Sequence, residues 1–334
     1  MSENRTIAWQ QPSAPLSERL ERFADEASQS SVREDEPLYR RSSLRIGGNA
    51  WRFVDVGSHE DAMLLLAAVG PDWRRLVWVG LGSNTLFPDE GIDGVVVRMS
   101  GELAQWHVSE TQATVGAGAV NAHLVRGLLR EGWVGAEFLS LIPGTFGGAV
   151  ALNAGTRERE LSEILEHCEI ARVDEEQGAW HVGTFPASEL DLSYRHAGLQ
   201  DGDVVLSGVV KVERGDVEEA KSRVRQDKER RNRTQPYRLA SVGSTFANPQ
   251  GDYAGRLIEA VGLKGHRVGG AQISELHANF FINAGDATAA DFIALMALAR
   301  HRVRERFGVE LRPEVRFVGF DGWAQLIEQE KSLR

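Results

Sequence analysis

The stretch Ile142-Pro143-Gly144-Thr145-Phe146-Gly147-Gly148-Ala149-Val150-Ala151-Leu152-Asn153-Ala154-Gly155 decides the fold. Four glycines, one proline and one threonine hydroxyl fall within a single bend. Such a main chain has to pass very close to something flat or charged, whereas an ordinary loop tolerates side chains. A companion lies upstream in Val79-Gly80-Leu81-Gly82-Ser83-Asn84-Thr85-Leu86, directly after a strand-like run. Its glycines permit positive φ, so successive backbone N–H groups can point at one anion, and Ser83 and Asn84 add side-chain donors. Two such loops imply a dinucleotide cofactor. A Rossmann dehydrogenase is disfavoured, because Gly116-Ala117-Gly118-Ala119-Val120-Asn121 lacks the third glycine of G-x-G-x-x-G and no P-loop lysine follows either loop.

Working outward, Trp51–Val56 reads as a strand, Ser58 with Asp61 as a capping box before the helix Ala62–Val69, and Leu76–Val79 and Val95–Met99 as further strands. After them come the strand-like Ala113–Val115, a helix from Asn121 ended by Gly132, and strands at Cys168–Val173 and Val204–Val212. The charged run Val217–Arg233 reads as an exposed linking helix. Beyond it, helices are expected at Ala254–Val261 and Ala289–Phe307, the second stopped by Gly308, with strands at Phe280–Asn283 and Val315–Val318. Residues 1–37 are rich in Ser, Glu, Gln and Pro and read as a flexible tail with one short helix at Ser17–Ala27.

A chain of 334 residues predicts two or three compact units with interior enough for a buried cofactor. A hydrophobic content of 42% with 26% charged residues is that of a folded globular protein. The formal charge of −10 argues against nucleic-acid binding, which needs a net basic face. Cys168 is the only cysteine, so no internal disulfide and no cysteine metal site can form, and it is expected as a core thiol in a reducing cytoplasm. The first residues lack the apolar run of a signal peptide, and Ala62–Val69 and Phe292–Ala299 are too short to span a bilayer, so no membrane is expected. His107, His123 and His301 have no metal-ligand spacing.

Gly80–Leu86 and Ile142–Val150, followed by Asn153-Ala154-Gly155, resemble the FAD-binding half of the vanillyl-alcohol-oxidase-like flavoproteins. Within that superfamily the sequence is similar to the UDP-N-acetylenolpyruvoylglucosamine reductase (MurB) family. The likeness runs from about Leu44 to Gly319. Its C-terminal motifs are Arg233–Pro236 (RTQP), Ser241–Pro249 (SVGSTFANP), Ala254–Gly265, Gly269–Ser274, His277–Asn283 (HANFFIN) and Arg312–Gly319 (RPEVRFVG). The compact path from Arg233 to Ser244 resembles the subtype without an extra tyrosine-bearing loop. The resemblance implies an α+β protein, with a two-part FAD-binding unit of the PCMH-like kind followed by a separate α+β substrate-binding domain. The boundaries expected are 1–37 for the tail, 38–103 and 104–216 for the two FAD-binding subdomains, and 217–334 for the substrate-binding domain.

The implied activity is NADPH-dependent reduction of UDP-N-acetylglucosamine enolpyruvate to UDP-N-acetylmuramate through non-covalent FAD, in peptidoglycan precursor synthesis. NADPH rather than NADH follows from the resemblance alone. Hydride delivered to the β carbon of that enol ether leaves negative charge over the α carbon and carboxylate, so the site needs groups that stabilise charge and a proton donor. By resemblance Arg195 holds the substrate carboxylate, Glu314 is paired with it across the enolate, and Ser244 protonates the α carbon. Gln235, at a place where relatives present a lysine, joins Asn248, His277 and Arg195 around the substrate. The FAD residues implied are Gly80, Gly82, Ser83, Asn84, Thr85, Ile142, Pro143, Gly144, Thr145, Gly148 and Asn153; no metal is implied. Ala197, Ala240 and Ala247 depart from the family pattern at a serine, a proline and a lysine respectively, which bears on substrate affinity. The alternatives are a related FAD-dependent alcohol or hydroxy-acid oxidase, and a catalytically silent paralogue that binds flavin or a UDP-sugar. The partners expected are NADPH and the UDP-sugar, acting on a cytoplasmic monomer or weak oligomer.

Overall fold

Leu16, Leu20 and Phe23 recur at the spacing of one helix face, and in a computed structural model, which describes residues 5–8, 14–156 and 158–333, they are the buried stripe of helix α1 (Leu16–Glu26). They pack α1 on helix α2 (His59–Val69), where Arg19 Nη1 also donates to the Val69 carbonyl at 2.8 Å. Together with a strand at Arg5–Ala8, paired with Ala179–Val182, and another at Ser31–Pro37, this replaces the expected tail by folded chain. The strand's partner is more than 170 residues away, beyond the reach of a local reading. Residues 1–4 and 9–13 of that segment lie outside the described residues.

The capping box expected at Ser58 is half present. Ser58 Oγ accepts from the Asp61 N–H at 3.1 Å, but the Asp61 carboxylate accepts from the N–H groups of Ser28 and Gln29 and from Ser30 Oγ. A buried carboxylate is stabilised by several donors, and these three hold its pKa below the ordinary value despite burial.

The chain clusters into two compact units that interleave in sequence: residues 1–34, 52–80 and 94–227 form the first, and 35–51, 81–93 and 228–334 the second. Residues 38–51 and 81–93 were expected in the first FAD-binding subdomain, and 35–37 in the tail. They join the C-terminal residues because Leu44, Ile46 and Leu86 are buried in the same apolar cluster as Phe246, Phe281 and Phe292.

The first unit carries two sheets. One is four-stranded, in the order Ser31–Pro37, Asn49–Val56, Ile92–Met99, Leu76–Trp78, the last pair being parallel. The other is six-stranded and antiparallel, in the order Arg5–Ala8, Ala179–Pro186, Leu165–Asp174, Val204–Lys211, Gln112–Gly116, Trp106–Ser109. Helices α3 (Asn121–Arg130) and α4 (Phe146–Ala151) belong to this unit, and α5 (Val217–Thr234), polar on nearly every face, leads out of it.

The second unit has an antiparallel sheet in the order Ala240–Ser244, Phe280–Asn283, Ala271–Ile273, Arg267–Val268, with helices α6 (Ala254–Ala260), α7 (Ala289–Phe307) and α8 (Gly322–Lys331). Thr288 and Asp291 form a capping box at the start of α7, and Gly308 ends it in the left-handed conformation. Phe292, Leu295, Met296, Ala299 and Val303 give α7 its buried stripe. Within this core the Phe281 ring lies 5.8 Å from those of Phe246 and Phe292. Among the described residues no helix is long and apolar enough to cross a membrane.

Candidate functional site

In the first unit the glycine-rich stretch is sewn to the segment before α3. The Phe146 and Gly147 N–H groups donate to the Ala119 and Ala117 carbonyls at 2.8 Å each, and the Asn121 N–H donates to the Gly144 carbonyl at 3.1 Å. Asn121 Nδ2 also reaches the Ile142 carbonyl at 3.2 Å, which leaves Pro143 exposed at the crest of the bend. Gly80 meets this bend directly: a Cβ there would lie 2.6 Å from Thr145 Oγ1. The first cofactor loop thus begins against the second. Gly148 is different, because a Cβ there would find only Thr145 Oγ1, at 3.7 Å, and the residue is exposed. Nothing in the fold demands glycine at 148, so its bare main chain is available to a ligand that must approach closely. This is the fit expected of a flat dinucleotide lying against neutral backbone and hydroxyl donors. Gly116 and Gly118, by contrast, are packing glycines, since a Cβ at either would strike the Leu103 or Met99 carbonyl at 2.2 and 2.5 Å.

Arg195 is the third residue of a tight turn in which Ser193 and His196 exchange N–H···O bonds of 3.0 Å each. Its φ of +58° is costly for a residue with a Cβ, and its guanidinium lies 4.9 Å over the Tyr194 ring and donates to the Gly155 carbonyl at 3.4 Å. Asn153, expected at the cofactor, is buried, and its side-chain amide is taken up by the protein. Nδ2 donates to the Ser193 carbonyl and to Glu160 Oε2, both at 3.1 Å, and Oδ1 accepts from the Ser162 N–H at 2.8 Å.

In the second unit Gly82 adopts a φ of +62°, where a Cβ would collide with the Arg41 carbonyl at 2.0 Å. Thr85 and Leu86 then pair in parallel with Arg316 and Phe317. Ser83 lies half-buried on the turn between, and Asn84 Nδ2 donates to the Glu314 carbonyl at 3.0 Å. Asn84 is therefore tied to the glutamate's main chain.

Ser244 ends the strand Ala240–Ser244 opposite Phe280, after an irregularity in pairing that Gly243 makes with a φ of +76°. Glu314 lies on the next stretch of chain, its N–H donating to the Thr245 carbonyl at 2.9 Å. These two residues are 70 positions apart in sequence, and the fold ties Glu314 to the residue that follows Ser244. Asn279, which sequence reasoning passed over inside HANFFIN, is what holds this arrangement. Its Oδ1 accepts from the Phe246 N–H at 3.0 Å and its Nδ2 donates to the Phe246 carbonyl at 2.7 Å, imitating a strand partner.

The other expected substrate residues of this unit each have surroundings of their own. His277 lies edge-on to Phe280, with ring centroids 4.9 Å apart, and its Nδ1 accepts from the Asn279 N–H at 3.2 Å. Burial, aided by the Lys264 charge, holds its pKa below the ordinary value, so the neutral ring carries its proton on Nε2. Asn248 is exposed and its Oδ1 accepts from the Ala254 N–H at 3.1 Å, serving the start of α6. Gln235 lines a cavity of about 680 Å³ with Tyr237, Arg238, Arg267, Ser274 and Glu275. None of the last five was assigned a role from sequence, although Ser274 closes the motif Gly269–Ser274; arginines beside a Gln-Pro turn carry no motif signal by themselves.

Comparison with known proteins accords with this layout. Residues 52–182 match the family described as FAD binding domain, and residues 235–318 that described as UDP-N-acetylenolpyruvoylglucosamine reductase, C-terminal domain. The chain is 45% identical over 285 residues to the UDP-N-acetylenolpyruvoylglucosamine reductase of Anaeromyxobacter dehalogenans, covering 85% of each, and 40% identical to that of Myxococcus xanthus, covering 86% of this chain and 92% of the relative. The crystal structure of the enzyme of that name from Thermus caldophilus superposes with a TM-score of 0.71 at 33% identity, over 86% of this chain and 98% of the other. Since these relatives are 45% and 40% identical over 85% and 86% of this chain, the chain belongs to the UDP-N-acetylenolpyruvoylglucosamine reductase family.

Proposed function

We propose that this chain reduces UDP-N-acetylglucosamine enolpyruvate to UDP-N-acetylmuramate with NADPH, through non-covalently held FAD, as a step of peptidoglycan precursor synthesis. The family assignment supports the reaction. The observation that carries its local chemistry is the hydrogen bond from the Glu314 N–H to the carbonyl of Thr245, the residue after Ser244. When bound, FAD supplies the hydride to the enol ether, having accepted it from NADPH.

The bends at Gly80 and at Ile142–Gly148, with Gly82, Ser83, Asn84 and Thr85, are the residues we assign to the cofactor, with backbone N–H groups facing its diphosphate. Arg195 presents a forked, permanently charged donor to the substrate carboxylate and so stabilises the enolate. Glu314 is the second group we assign to the enolate. Ser244 delivers the proton to the α carbon, and Gln235, Asn248 and His277 orient the sugar nucleotide. In this reading the unit with the four-stranded and six-stranded sheets supplies Gly80, the Ile142–Gly148 bend and Arg195, and the other unit supplies residues 82–85 with Gln235, Ser244, Asn248, His277 and Glu314. The enzyme works in the cytoplasm as a monomer or weak oligomer.

The test separates the two half-reactions. Purified protein is expected to be yellow, bleached by NADPH and re-oxidised by the enolpyruvyl sugar nucleotide. Ser244→Ala should leave bleaching nearly intact and slow re-oxidation by about 10²- to 10⁴-fold, the worth of a general acid. Equal damage to both halves refutes the proton-donor role.

A further inference from the structure

We propose that Asn153 is a positioning residue for Arg195, holding the turn that presents the guanidinium; the proposal rests on the role given to Arg195 above. Asn153 is 1% exposed and follows α4 on the glycine-rich bend. Its φ of +37° lies in the left-handed region, where asparagine is tolerated better than most residues. That conformation aims its amide at two other segments. One is the short helical turn Leu161–Glu163, whose Ser162 N–H donates to Oδ1 at 2.8 Å, while Glu160 just before it accepts from Nδ2 at 3.1 Å. The other is the Ser193–His196 turn, whose first carbonyl accepts from Nδ2 at 3.1 Å.

Arg195 needs such a hold. It sits at a φ of +58°, which a free turn would relieve, and the Ser193–His196 pair alone fixes neither end to the rest of the protein. A second tie comes from the same bend two residues on, where the Gly155 carbonyl accepts from Arg195 Nη2 at 3.4 Å. Glycine is required at 155 because a Cβ would meet the Arg159 carbonyl at 2.7 Å. The bend that resembles a flavin cradle thereby also sets where the arginine stands. Both donors of the Asn153 amide and one lone pair of its oxygen are spent inside the protein, so its side chain is committed to the turn that carries Arg195.

The experiment uses the full-length, FAD-loaded enzyme and measures flavin re-oxidation by UDP-N-acetylglucosamine enolpyruvate in stopped flow. Asn153→Gly keeps the positive φ without strain and deletes the amide. Asn153→Asp keeps size and the acceptor for Ser162 but removes the donor to Ser193, and serves if the glycine variant folds poorly. Each is expected to retain one FAD and wild-type reduction by NADPH, while kcat for re-oxidation falls roughly 10- to 100-fold, the cost of misplacing a catalytic group by about an ångström. Combined with Arg195→Lys, either variant should slow the reaction no further than Arg195→Lys alone, because coupled residues are not additive. Multiplying losses in the double variant overturn the proposal, as does loss of FAD with normal re-oxidation after reloading. A wild-type rate in Arg195→Lys overturns the role given to the arginine itself, and Asn153's with it.

Discussion

Replacing Asn279 by alanine should strike stability and chemistry together. Its amide is 3% exposed and pairs with both main-chain groups of Phe246, a residue with no exposed surface, at 3.0 and 2.7 Å. Water cannot take the place of the lost partners there. Each buried backbone group left unsatisfied costs about 1–3 kcal/mol, so the pair costs about 4 kcal/mol. For a unit of this size about 1 kcal/mol lowers Tm by roughly 3 °C, which predicts a fall of roughly 12 °C in the calorimetric transition of the C-terminal unit. Asn279→Asp keeps the acceptor for the Phe246 N–H but sets an oxygen against its carbonyl, and should lose a comparable amount. In FAD-loaded protein below the lowered Tm, re-oxidation by the enolpyruvyl substrate should slow more than reduction by NADPH, because Phe246 adjoins the Thr245 carbonyl that receives the Glu314 N–H. A shift under roughly 3 °C, the worth of about 1 kcal/mol, would refute the clamp.

Two further outcomes follow from groups away from the site. His59 Nε2 lies 3.4 Å from Glu169; their hydrogen bond raises the imidazole pKa above 6.5 and lowers the carboxyl below 4.5. The histidine's share of stability is present below 6.5 and lost as pH rises through its raised value, and the glutamate's is present above 4.5 and lost as pH falls through its lowered value, so the pair contributes most between those two pH values. Glu169→Gln should bring the His59 midpoint down in an NMR titration, and an unmoved midpoint contradicts the pairing. Cys168 is fully buried and burial pushes its thiol up to about 12, so the native protein should resist a thiol reagent and release one equivalent only on unfolding; prompt labelling of the native state contradicts this.

Elements written by local chemistry were readable in advance. Helix α7 runs over the span its caps and stripe announced, Ala289–Phe307, and the strand Phe280–Asn283 and the stop at Gly132 stand where expected. The two glycine-rich bends were readable for the same reason, since backbone that must turn left-handed or pass close to a neighbour excludes side chains wherever it occurs. The short helix read at Ser17–Ala27 stands at Leu16–Glu26, but the strands at Arg5–Ala8 and Ser31–Pro37 that replace the expected tail were not readable, because the first pairs with Ala179–Val182 and such a partner leaves no local signal.

What sequence determined by itself is the inventory and its order: an FAD-type pair of bends, then an arginine, a serine and a glutamate in the motifs of one reductase family. Tertiary structure alone decided which of those residues touch. Asn153 grips a turn 40 residues on, Asn84 reaches the Glu314 carbonyl 230 residues on, Asn248 serves a helix, and Asn279 stands in for a strand. An asparagine offers the same two donors and one acceptor in each place, and only the folded chain determines which buried main-chain groups are left for it to satisfy.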